Sequence, residues 1–256
     1  MGDDDTEQLL ERPAVTTETI RVLVVDEDAE GLATALEQTA ERLAVETATT
    51  AAAGLDRLQE ASVDCIVSDY QLPETDGLDL FETVRDRDSQ VPFILSADAG
   101  SEDVVERAFA AGVSGYVETG QTAVLAHRIE TEVRRCRNEQ SARQTIDALE
   151  ASRDGIAIFD SDGQFQYVND AYASVYGYNP DDLVGGSWEQ LYPEEEIEHY
   201  RNEIGPTLNS EGGWLGDCEC LHRDGFQFRS THSISQRDDG GHICVIHHGS
   251  VRASDA

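Results

Sequence analysis

The chain has 256 residues, of which 52 are acidic and 18 basic, giving a formal net charge of −34. So acidic a chain is not expected to bind DNA or anionic lipid through a basic face, and because every basic residue is an Arg, chemistry that needs a Schiff-base or phosphate-loop lysine is excluded. The length suits two modest domains, and 39% hydrophobic residues supply their cores.

Residues 1–18 read as an acidic, flexible tail. IRVLVV (20–25) is a β-branched run of the kind that forms a strand buried on both faces. The next segment, DEDAEGLATALEQTAERL, places Leu32, Leu36 and Leu43 at roughly helical spacing. VETAT is a weaker strand, and 51–60 a helix. DCIVS (64–68) is a second buried run before the turn-rich DYQLPETDG. A helix at 78–87, a strand VPFIL at 91–95, a helix at 102–111 and a strand SGYV at 114–117 complete the alternation. Five βα units imply a parallel sheet with helices on both faces.

From Gln121 to Ser152 there is little Gly and no Pro, which predicts one long helix or two that abut. Its apolar stripe Val124, Ile129, Val133 predicts a homodimer through this connecting helix and the second domain. Beyond it, GIAIFD and QFQYVN flank the hairpin signal SDG. AYASVYGYNPDDLVG predicts a helix stopping at Asn179–Pro180, and mixed helix reaches about Ser210. WLGDCECLH, FQFRSTHSIS and GHICVIHH are three further strands. The second half is therefore an α+β domain with a five-stranded antiparallel sheet.

In an open parallel sheet, a site forms outside the carboxyl ends of the strands. Those ends carry Asp26, Glu27 and Asp28, then Asp69, then Ser96. Converging carboxylates with only oxygen donors suit hard Mg²⁺, and an Asp beside such a metal can attack phosphorus. Taken singly, Asp26 and Asp28 read as helix caps and Asp69 as a turn residue.

VLVVDEDAE, CIVSDYQLPETDGLDL, FILSA and GVSGYV resemble the receiver domain of two-component response regulators over about residues 20–130. The resemblance implies a flavodoxin-like (βα)₅ fold with Asp69 as phosphoacceptor, phosphorylated by a histidine kinase. Asp26, Glu27, Asp69 and the backbone carbonyl of Gln71 would hold Mg²⁺. Ser96 matches the switch hydroxyl and Tyr116 the switch aromatic. Thr119 stands where the family places a Lys that pairs with the phosphoryl oxygens.

Residues 143–250 resemble a PAS domain of the S-box type, carried by DGIAIFDSDGQFQYVNDAY, VYGYNPDDLVGGSW and GWLGDCECLHRDGFQFRSTHSIS. The resemblance implies a sensor or dimerisation domain whose ligand is unknown. Phe159, Tyr167, Asn169 and Tyr176 are the candidate pocket residues. No Cys lies between Asp170 and Asp217, so covalent flavin photochemistry is not expected. His199, the one His in the helical stretch, reads as exposed rather than as a haem ligand. Cys218, Cys220 and His222 share one strand face, with His232, Cys244 and His247 on neighbouring strands. Ligands from one straight strand cannot close a tetrahedron, so thiols filling a sheet face are expected rather than Zn²⁺.

The boundaries expected are a tail to 18, receiver 19–130, connecting helix 131–152, PAS 153–250 and a tail 251–256. The chain reads as a non-enzymatic signalling protein with no nucleic acid or membrane partner. No apolar run could span a bilayer, MGDDDTEQ lacks a signal peptide's centre, and five scattered cysteines form no disulfide framework. A cytoplasmic protein is expected, with an acid coat like those of salt-loving organisms. Two other readings compete. VVDEDAE also scans as the Asp-x-Asp nucleophile of haloacid-dehalogenase-type phosphatases, but Glu30 stands where that pattern wants Thr or Val, and no Lys follows. The other is an interaction module that has given up phosphorylation, supported by Thr119 and opposed by the retained Asp26, Glu27, Asp69 and Ser96.

Overall fold

The computed structural model describes residues 18–87, 90–98 and 102–253. The tail expected over 1–18 thus lies outside the described residues except for Glu18. The chain divides into two units, Met1–Ser141 and Ala142–Ala256.

In the first unit β1 (Ile20–Val25), α1 (Ala29–Thr39), β2 (Leu43–Ala48), α2 (Ala51–Glu60) and β3 (Cys65–Asp69) follow in order. A miniature hairpin comes next, β4 (Gln71–Leu72) against β5 (Thr75–Asp76). Then come α3 (Gly77–Asp86), β6 (Phe93–Ala97), α4 (Glu102–Ala111) and β7 (Gly115–Glu118). The five long strands form one parallel sheet in the order β2-β1-β3-β6-β7. Alternation divides its two faces. Val22, Val24, Cys65, Val67, Ile94 and Val117 pack under α1 and under Leu125, Ala126, Ile129 and Val133 of the helix that follows β7. Leu23, Val25, Ile66, Phe93 and Leu95 pack under α3 and Ala108 of α4. The strand expected at 91–95 begins at Phe93, because Pro92 has no N–H to donate, and runs on while Ser96 and Ala97 pair with Val117 and Glu118.

The segment from 122 to 150 is one helix, α5 (Thr122–Glu150). The stripe expected to seat a second copy is mostly spent at home. Ile129 and Val133 are buried in the first unit's core with Leu125 and Ala126, and only Val124 is exposed. A helix needs one apolar side to pack on its own sheet, and this stripe is that side.

The second unit contains β8 (Gly155–Phe159), β9 (Phe165–Val168), α6 (Asp170–Tyr176), α7 (Pro180–Leu183), a 3₁₀ turn at Trp188–Leu191 and α8 (Glu194–His199). A π-helical turn at Tyr200–Ile204 joins α8 to α9 (Gly205–Glu211), next to Pro206, which cannot donate a helical hydrogen bond. The strands β10 (Gly213–Leu221), β11 (Gln227–Gln236) and β12 (His242–Ile246) follow, and the antiparallel order is β10-β11-β12-β8-β9. Two expectations are corrected. The helix expected to stop at Asn179–Pro180 ends earlier, at Tyr176, because Gly177 in the left-handed conformation caps α6, and Pro180 opens a separate short helix, α7. Arg252 and Ala253, expected in a tail, form β13 on β11 at Arg229 and Phe228, adding a sixth strand to the sheet of five; residues 254–256 lie outside the described residues.

Asn169 fastens this unit. It is fully buried, and its Oδ1 accepts from Ile156 N–H (2.8 Å) and, as the cap of α6, from Tyr172 N–H (2.9 Å). Its Nδ2 donates to the carbonyls of Leu149 (2.9 Å) and Asp154 (3.1 Å). Glu150 adds bonds from Tyr167 O–H and Asp170 N–H. Asn169→Ala strips four hydrogen bonds from buried or half-buried backbone, so we expect a loss of about 3 kcal/mol in urea denaturation of the second unit.

Candidate functional site

The sheet register brings the first candidate site together. Asp26 follows the last residue of β1, Asp69 ends β3, and Ser96 in β6 pairs with Asp69. Thr119 follows β7 and donates its backbone N–H to Ala97 (3.0 Å). Its hydroxyl lies 3.5 Å from that of buried Ser96. Burial and the charge of Asp26 hold the Asp69 carboxyl above its ordinary range, against the opposing pull of the N–H groups of Tyr70 and Gln71. Asp26 Oδ1 accepts from Asp28 N–H (2.7 Å), and Asp28 sits at the N-cap of α1 without capping it by its side chain.

The loop after Asp69 is tightly specified. Glu74 takes a positive φ to close the small hairpin, and Asp76 caps α3 by accepting from Leu78 and Asp79 N–H. Gly77 leaves no room for a side chain, since a Cβ there would come 2.4 Å from the Asp69 carbonyl oxygen. Tyr70 donates its N–H to the Ser96 carbonyl (2.7 Å), and its hydroxyl accepts from Arg107 of α4 (2.9 Å).

Asp26, Asp69, Ser96 and Thr119 therefore meet. Glu27 and Gln71 are exposed, the latter paired with Asp76 in the hairpin. Tyr116 is half-buried, and its hydroxyl donates to the Ala97 carbonyl at 3.4 Å. A cavity of about 170 Å³ beside Thr119 has Asp26, Asp28, Ser96 and Glu118 in its wall. Among the described residues no set of three or more His, Cys, Asp or Glu is arranged to hold a metal ion. Mg²⁺, which keeps several waters and takes one or two carboxylates, suits the oxygen-only pair of Asp26 and Asp69.

The second unit holds a partly open cavity of about 220 Å³. Of the candidate pocket residues only Phe159 lines it; Trp188, Tyr192, Glu196, Tyr200 and Cys218 complete much of the wall. Tyr167 bonds Glu150, Asn169 fastens the fold, and Tyr176 is buried with its hydroxyl donating to Tyr192 (3.2 Å). The sequence carried one overlooked signal. Glu196 and Tyr200 stand four residues apart, the spacing of one helical face, with Tyr192 in extended backbone just before Pro193. His199 does not line the cavity and lies 3.6 Å from Glu203.

A family model described as response regulator receiver domain matches residues 22–130, and one described as PAS fold matches residues 149–211. The chain is 28% identical over 202 residues to the bacterioopsin transcriptional activator of Halobacterium salinarum, covering 72% of this chain and 30% of that protein. It is 30% identical over 138 residues to the transcriptional regulatory protein AfsQ1 of Streptomyces coelicolor, covering 54% of this chain and 61% of that protein. It is 30% identical over 118 residues to the chemotaxis protein CheY1 of Helicobacter pylori, covering 43% of this chain and 94% of that protein. The chain thus spans under a third of the first of these proteins and about three fifths of the second.

Cys218, Cys220 and Cys244 fill the inner sheet face as part of the core. Around them, buried His232 has Nε2 2.7 Å from Ser230 Oγ and Nδ1 3.2 Å from the Tyr192 hydroxyl, with Cys220 and Cys244 sulfurs each at 3.6 Å. Burial, with a smaller push from His247, pulls the His232 pKa down to about 4. The unfolded chain takes up this proton near pH 6.5 and the folded chain only near 4, so stability is full above that window and falls as pH drops through it, by about 3 kcal/mol. Urea denaturation at pH 7 and pH 4 should show this loss on top of the carboxylate effects, and His232→Gln should remove it.

Proposed function

The chain belongs to the response regulator receiver family and carries a PAS fold behind the receiver, and on that premise we propose that Asp69 accepts a phosphoryl group from a histidine kinase and that Mg²⁺ assists. The observation that carries the reading is the pairing of a half-buried Asp69 with Asp26, whose charge raises it. A cation between two such carboxylates relieves their repulsion. Mg²⁺, when bound, offsets the charge of both carboxylates and of the incoming phosphoryl group.

The chain's own residues supply the rest. Asp69 provides the attacking oxygen, forming a bond to phosphorus as the bond to the donor histidine nitrogen breaks. The N–H groups of Tyr70 and Gln71 hold the carboxylate in place. The Ser96 hydroxyl, which now lies by Thr119, turns to donate to a phosphoryl oxygen. Tyr70 hands the change to α4 through Arg107, and Tyr116 follows Ser96. Output runs through protein contact. The homodimer, if it uses α5, uses the exposed span from Asn138 to Ala148 rather than the buried stripe. With a net charge of −34, this part of the molecule offers DNA no basic face, so a link to transcription runs through a protein partner. No helix among the described residues is long and apolar enough to cross a membrane.

Acetyl phosphate with Mg²⁺ should add one phosphoryl mass to the intact chain and none to Asp69→Asn. Failure of that modification would favour the interaction-module reading, which rests on Thr119. The cavity beside Thr119 has room for a longer side chain. Thr119→Lys should therefore tighten binding of beryllofluoride, a phosphoryl mimic, by about tenfold, the effect of one close cation. Unchanged affinity in a titration would show that another group already supplies that charge.

A further inference from the structure

The cavity of the second unit is walled mainly by rings. Trp188 lies with its centroid 4.5 Å from Tyr200 and 5.4 Å from Tyr192, and Phe159 and Ile234 close another side. Among the groups facing this apolar space is a carboxylate with a buried, unanswered oxygen. Glu196 lines the cavity, and its Oε1 is buried with no hydrogen-bond partner. A buried acceptor without a donor is costly, and more so when charged.

The neutral Cys218 thiol hydrogen-bonds the Glu196 side chain, but no group in the wall brings a positive charge to answer it. The lining contains no Arg, and the chain has no Lys. His242 lines the cavity, but burial pulls its pKa down, so it is neutral at pH 7. Cys218 and Cys244 are held as neutral thiols, chiefly by burial. Asp162, also in the lining, adds a second negative charge. The electrostatic field therefore selects a cation, and the electron-rich ring faces favour the same sign. A cavity of about 150 Å³ holds benzene, so about 220 Å³ accommodates a ring with a short arm.

We propose that the cavity of the PAS fold binds a small organic cation, an ammonium on a compact apolar body, with its N–H donated to Glu196 Oε1 and its charge against Trp188 and the neighbouring tyrosines. Neutral molecules of the same shape leave the carboxylate unanswered, and anions are repelled. The inference rests on the PAS fold and does not depend on phosphoryl transfer.

Isothermal titration of the full, unphosphorylated chain with benzylammonium, benzyl alcohol and benzoate tests it, because the three share a ring and differ in charge. Benzylammonium should bind at least about tenfold tighter than benzyl alcohol, and benzoate not at all. Glu196→Gln should bring benzylammonium down to the level of the alcohol while circular dichroism stays unchanged. If that variant does not fold, the series on the unsubstituted chain decides alone. Equal affinity for all three, tightest binding of benzoate, or no binding of benzylammonium at millimolar concentration would overturn the proposal. Phosphorylation of Asp69, measured by mass on the same preparation, reports on the receiver separately.

Discussion

Two carboxylates held at one edge of a parallel sheet repel each other, and the first unit is organised around that repulsion. Asp26 and Asp69 sit there because adjacent strands β1 and β3 run parallel and end together. The sheet must be dry on both faces to hold them, which is why Val22 to Val25 and Cys65 to Val67 are buried on either side. The loop beyond Asp69 is built as rigidly as the strand. A glycine where the chain passes the Asp69 carbonyl, a positive φ at Glu74 and an aspartate cap on α3 leave it little freedom. The repulsion is thus kept in the folded state and available to a cation or an incoming phosphoryl group.

The second unit treats its polar interior in the opposite way. Asn169 uses all four of its hydrogen-bonding positions, and His232 finds Ser230 and Tyr192. Such fully satisfied buried groups hold one arrangement of strands and helices in place. Against that background two buried oxygens of the unit have no hydrogen-bond partner, the Tyr172 hydroxyl and Glu196 Oε1, and of these two residues only Glu196 lines the cavity. Glu196 lies on α8, in the helical stretch between β9 and β10, against the cavity that the aromatic rings leave open.

The receiver was legible because its signals are local. Short β-branched runs between amphipathic helices specify a parallel sheet, and strand order then delivers Asp26, Asp69 and Ser96 to one edge without further information. The PAS pocket was not legible in the same way. Tyr167, Asn169 and Tyr176 are polar or aromatic residues near the right strands, yet the backbone turns each toward a structural task. The apolar stripe of α5 misled for a related reason. Periodicity shows that a helix has an apolar side but not whether its own domain or another chain covers it.

Sequence by itself determined the two domains, the parallel and antiparallel sheets, the acidic edge and the absence of a Lys at Thr119, because each follows from residue type and short-range spacing. Tertiary structure alone decided that Glu27 faces solvent while Asp26 meets Asp69, that Ile129 and Val133 belong to the receiver's own core, and that Glu196 rather than Tyr176 faces the cavity. Those outcomes depend on which distant segments pack against a given side chain, and burial and charge take their values only once that packing is complete.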